Sequence, residues 1–101
     1  MDAALLKWET LQQAYEGSDE LDRVFAKLLA GKLSEQRLLL ARYDRDLGDF
    51  ERHFKLDSPT FYARFEAGEL GDDMDYFEWA GLWELRQRLR QKIQRLEQVL
   101  P

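Results

Sequence analysis

The chain has 101 residues, with 20 acids against 15 Lys/Arg, a formal net charge of −5 and no cysteine. This length bounds it to a single small domain, 1–101, and 45% hydrophobic with 13% aromatic residues supplies a core and excludes a disordered chain. The acidic balance argues against direct nucleic-acid binding. The lack of cysteine excludes a disulfide framework or a thiolate metal site, which suits a cytoplasmic protein.

Within residues 3–16, Ala4, Trp8, Leu11 and Tyr15 recur at intervals of 4, 3 and 4, which predicts an amphipathic helix stopped by Gly17-Ser18. Ser18 or Asp19 is placed to cap a second helix, with Asp19, Glu20 and Asp22 at its positive dipole end. Leu21, Val24, Phe25, Leu28 and Leu29 form the apolar face of that helix. Gly31 either ends it or is carried through at about 1 kcal/mol.

From Leu33 the pattern becomes a heptad. Leu33, Leu40, Leu47 and Phe54 recur every seven residues, and Tyr43 and Phe50 fill the interleaved positions, broken only at Gln36. This is an a/d seam. Arg52, His53 and Lys55 fall at its end, where positive charge complements the dipole.

Phe61 to Leu85 is the densest stretch. Seven of the thirteen aromatics fall between Phe61 and Trp83, and Glu66, Glu69, Asp72, Asp73, Asp75 and Glu78 follow one another with no base among them. Ser58 as N-cap with Pro59 at the first helical position starts a short helix. Gly68 suits a left-handed end for it and Gly71 a turn, and Asp72 or Asp73 caps the last helix. That helix, about Met74 to Leu100, carries Tyr76, Trp79, Ala80 and Trp83 on one side. Leu82, Leu85, Leu89, Ile93, Leu96 and Leu100 lie on another, rotated by roughly 100° or more on the helical wheel. Its length of ~40 Å exceeds the ~34 Å implied for a compact globule of this size. The predicted fold is therefore all-α, helical hairpins or a bundle, with 74–100 overhanging the core and its Leu/Ile stripe needing a second chain. A dimer or larger is expected.

No residue set with the spacing of a catalytic, cofactor or metal site stands out. The six acids could bind a hard cation, but capping and dipole complementarity are the favoured account of them, and the calcium-loop spacing is absent. His53, the only histidine, lacks the Arg-x4-His spacing of helical HEPN ribonucleases and suits a helix-end dipole partner. Arg86, Arg88, Arg90, Lys92 and Arg95 point in several directions around the wheel rather than forming one phosphate-gripping stripe. No stretch is long and apolar enough for a signal peptide or a membrane span, and no helix-turn-helix is recognisable.

The words RYDRDLGDFERHFKLDSPTFYARFEAGELGDDMDYFEWAGLWEL resemble a widespread group of small helical bacterial and archaeal proteins. Their shared core reads roughly F-E-x-x-Y/F … S-x-x-F-Y-x-x-F-x-x-G-E-L-G-D-D-x-D-Y/F-x-E-W. The matching positions run from Phe50, Glu51 and Phe54 through Ser58, Phe61, Tyr62 and Phe65 to Gly68–Asp73, Asp75, Tyr76, Glu78 and Trp79. The resemblance covers about Leu21 to Leu89 and departs at His53, where such proteins tend to carry tyrosine or lysine. Genes of this group commonly sit beside one for a small toxin. The resemblance thus implies the antitoxin half of a type II toxin–antitoxin pair, with a cognate toxin as partner and no cofactor. Leu82, Leu85, Leu89, Ile93 and Leu96 would then be the anchors in a groove on that partner. Glu69, Asp72, Asp73 and Asp75 would cover its basic surface. A homodimeric helical scaffold and a metal-dependent enzyme using the acidic corner are the alternatives.

Overall fold

The computed structural model describes residues 2–101, and among them four helices and no strand. They are α1 (Ala3–Ala14), α2 (Glu20–Phe54), α3 (Ser58–Glu66) and α4 (Met74–Val99). The fold is all-α, as the periodicities predict, with a long helix at the C-terminus. No described helix is long and apolar enough to cross a membrane.

The longest element is α2. Gly31 is carried through the helix, and a Cβ added there would meet nothing within 4 Å. Thirty-five residues at ~1.5 Å each set the long axis of a molecule measuring 59 × 30 × 17 Å. The radius of gyration is 19.8 Å, against ~13 Å for a compact domain of this length. Folding thus gives a rod rather than a globule.

α4 runs back along α2 as an antiparallel hairpin. At the far end Leu33 packs with Leu89 and Ile93, flanked by Leu39, Leu40, Tyr43, Leu96 and Leu100. At the near end Leu47 packs with Phe61, Trp79 and Ala80. Between the two clusters Arg86 hydrogen-bonds Asp44 and lies 5.5 Å over the Trp83 ring, and Arg37 meets Glu97 at 4.0 Å near the far end. The heptad seam of α2 is thus consumed inside one chain. The expectation that α4 overhangs, with its stripe uncovered, does not hold: Leu89 and Ile93 are buried by α2. The ~34 Å sphere behind that expectation does not apply where a 35-residue helix sets the frame.

The near end is an aromatic corner built on Trp79. Its ring stacks on Phe61 at 3.7 Å between centroids and 6° between planes, with Phe54 and Phe50 at 5.5 and 5.7 Å. α3 is capped one residue earlier than predicted. Asp57 accepts from the Thr60 N–H at 2.8 Å, Ser58 is the first helical residue and Pro59 the second. The Ser58 hydroxyl is committed elsewhere, to the Trp79 indole N–H. Gly68 does end α3 in the left-handed conformation, φ 71°, and the Glu69 N–H returns to the Arg64 carbonyl. Gly71 has no positive φ, and Asp73 rather than Asp72 caps α4, accepting from the Asp75 N–H at 2.9 Å.

α1 stands apart. It buries no residue, and its described tie to α2 is Trp8 against Phe25, 5.0 Å between ring centroids.

Candidate functional site

A groove of about 1030 Å³ lies between the C-terminal half of α2 and the N-terminal half of α4. Its α2 wall carries Asp46, Asp49, Phe50 and His53, residues spaced 3, 4 and 7 apart and hence on one helical face. Its α4 wall carries Asp75, Phe77, Glu78, Gly81, Leu82, Glu84, Leu85 and Arg88.

Two properties distinguish this groove from an ordinary helix–helix crevice. Phe77 and Leu85 are 51% and 43% exposed along it, while Phe50 and Leu82 are half-buried, so an apolar strip runs along its length. Phe77 nonetheless has an inner contact, an edge-on meeting with Phe65 at 5.5 Å that fixes it to the corner. Secondly, the rim is acidic, with five carboxylates against Arg88 and His53. Asp49 is engaged by Arg52, and Glu84 accepts from the Tyr62 hydroxyl at 2.7 Å. Asp46, Asp75 and Glu78 make no side-chain hydrogen bond or ion pair among the described residues. The surroundings have the same sign: from Asp46 to Leu85 the sequence holds eleven carboxylates and three Lys/Arg. At physiological salt, with a screening length of ~8 Å, the groove is an anionic trough with an apolar floor.

The sequence-predicted residues divide among three places. Leu82, Leu85 and Asp75 converge on the groove. Leu89, Ile93 and Leu96 belong to the far-end hairpin core, where α2 already occupies them. Glu69, Asp72 and Asp73 lie exposed on the α3–α4 turn, outside the groove lining. Asp46, Asp49, Phe77, Gly81 and Glu84 were missed, because on the wheel of α4 they lie off both apolar stripes or belong to another helix. The available signal was Phe77 itself, a large aromatic off both stripes.

For metal chemistry, no three His, Cys, Asp or Glu side chains among the described residues are grouped to hold an ion. His53 is exposed at the last turn of α2, its ring edge-on to Phe54 at 4.7 Å. Tyr62 is held well above its ordinary titration range by hydrogen bonding to Glu66 and then Glu84, which makes it a poor proton donor near neutrality.

Comparison with protein-family models, curated proteins and solved structures finds no match to this chain.

Proposed function

We propose that this chain is a protein-binding module that works by covering a small cognate protein, the role of an antitoxin toward its toxin. The observation that carries this reading is the groove itself: large apolar side chains, Phe77 and Leu85, stand exposed along a preformed channel with a charged rim. Protein interfaces combine these features, an apolar centre that anchors and a polar border that orients. Of the anchors expected from the sequence, Leu82 and Leu85 stay, Leu89, Ile93 and Leu96 drop out, and Phe77 joins. Asp75 stays at the contact, and Glu69, Asp72 and Asp73 serve as a steering field on the adjoining turn.

The test is co-purification with the product of the neighbouring gene, alongside growth rescue of cells expressing that product. Phe77→Asp with Leu85→Asp should abolish both while a cooperative helical melting transition remains, lowered by the loss of the Phe77–Phe65 contact, because about half of each side chain is exposed. His53→Ala should change neither. If the double variant still rescues growth and the His53 variant fails, covering is the wrong mechanism and an enzymatic one replaces it.

A second reading, self-association, has its own observation. Leu5, Leu6, Trp8 and Leu11 of α1 and Val24 and Leu28 of α2 are all exposed at the other end of the rod. A second copy laid on that face would cover them. Light scattering across micromolar concentrations tests it, with a 12.0 kDa monomer throughout as the contrary result.

A further inference from the structure

We infer that the groove between α2 and α4 accepts a cationic amphipathic helix, whose backbone approaches α4 over Gly81. This rests on the protein-binding reading above and names the chemistry of the segment that enters the groove.

Gly81 points to a close approach. It lies inside α4, where glycine is among the poorest residues for helix stability. A Cβ built on it would meet nothing within 4 Å, so no packing within the chain requires its smallness. The vacant volume opens onto the groove, because Gly81 is part of its lining. A missing side chain at the floor of an apolar channel lets a partner's backbone or ridge sit closer to α4 than any other residue would permit.

Charge selects the occupant. A segment entering between Asp46 on α2 and Asp75 and Glu78 on α4 meets carboxylates on both sides and Arg88 at one end. An acidic or neutral segment would leave those carboxylates partly desolvated and unpaired, which is costly. A helix with Lys or Arg on its flanks pairs with both walls while its apolar face meets Phe50, Phe77 and Leu85. The chain's own exposed amphipathic helix is excluded as the occupant in a second copy. α1 with its cap carries Asp2 and Glu9 against Lys7 and so brings no excess of positive charge.

The experiment uses the full chain and a fluorescent 16-residue helical peptide of Leu and Lys with the leucines on one face. Controls are its Glu counterpart and a scrambled Lys/Leu peptide lacking the face. Anisotropy titrations should show the amphipathic Lys peptide binding, and binding should weaken as salt is raised. Gly81→Leu should raise Kd at least about tenfold by filling the floor. Gly81→Leu should also melt no lower than the parent, since its Cβ has open space and leucine is the better helix former. Asp46→Asn with Glu78→Gln should flatten the salt dependence. Equal binding of the scrambled peptide would reduce the effect to diffuse electrostatics and overturn the inference. Binding indifferent to Gly81→Leu would overturn it as well. Equal binding of the Glu peptide, together with loss of the cognate partner in the Phe77/Leu85 variant, would overturn the cationic assignment while the protein-binding reading stands. A dimer broken by Gly81→Leu would assign the groove to a second copy and overturn the inference.

Discussion

Trp79 donates its indole N–H to the Ser58 hydroxyl at 2.9 Å, in a corner where the ring is 0% and the serine 1% exposed. The backbone N–H of the same serine donates to the Glu51 carboxylate at 2.7 Å. The first residue of α3 is therefore tied to α4 by its side chain and to α2 by its main chain. The hydroxyl is what allows a tryptophan, with an N–H that must be satisfied, to sit at the centre of a stack of rings.

Ser58→Ala should cost about 1–3 kcal/mol by orphaning the buried indole N–H, and Trp79→Ala about 3–5 kcal/mol. Trp79→Phe removes the donor, so adding Ser58→Ala to it should cost clearly less than Ser58→Ala alone. Urea denaturation of the four-member cycle measures the coupling. Strict additivity would show that the bond contributes nothing.

The acid branch of the stability curve carries a signature of the α3 cap. Hydrogen bonding to Thr60 holds the Asp57 carboxyl below its ordinary value of 3.8. A depressed folded value means that its contribution is complete above the unfolded pKa and is lost as pH falls through the folded one. Asp57→Ala should thus be less stable than the parent at pH 7, and the gap should narrow only below pH 3.8. Thermal melts of both proteins between neutral pH and pH 2 provide the comparison. A gap that closes by pH 5 would assign the effect to another group.

Two backbone substitutions should stabilise for opposite reasons. Lys55 ends α2 at φ 55°, the left-handed region where a Cβ is strained. Lys55→Gly should therefore gain about 0.5–1 kcal/mol, relief of strain outweighing the added chain entropy. Gly31→Ala, in a helix interior with open space for the methyl, should gain up to about 1 kcal/mol. Reversing them predicts the opposite sign: Gly68→Ala, at φ 71°, should lose stability. Chemical denaturation reads all three.

The alkaline branch isolates Tyr62. The neighbouring carboxylates of Glu66 and Glu84, the latter accepting from its hydroxyl at 2.7 Å, raise its pKa above the ordinary 10.0. Its stabilising contribution is therefore complete below the unfolded value and is lost as pH climbs through the raised folded one. Phenolate absorbance should show one of the four tyrosines ionising later than the rest. Tyr62→Phe should delete that late step, and Glu84→Gln should bring it earlier.

Helix ends and core faces were legible because they are local. The α2 seam from Leu33 to Phe54 and an aspartate cap for α4 follow from spacing and residue type within one element, although the choice of Asp73 over Asp72 does not. Gly31 was ambiguous because its propensity cost is smaller than what packing of the flanking heptads returns. The cap of α3 shifted from Ser58 to Asp57 because a tertiary demand, the indole of Trp79, claimed the serine. The groove was illegible for a related reason. Gly81 and Glu84 acquire meaning only once Asp46 and Asp49 stand opposite them, and that register is a property of two helices.

The isolation of α1 has a kinetic consequence. A helix of 12 residues is marginal alone in water, and this one borrows almost nothing from the hairpin. It should open and close without disturbing α2–α4, so its amides should exchange orders of magnitude faster than those around Leu47 and Leu89. A protease should then cut first near the exposed Gly17-Ser18 link, leaving a fragment that still melts as a cooperative unit.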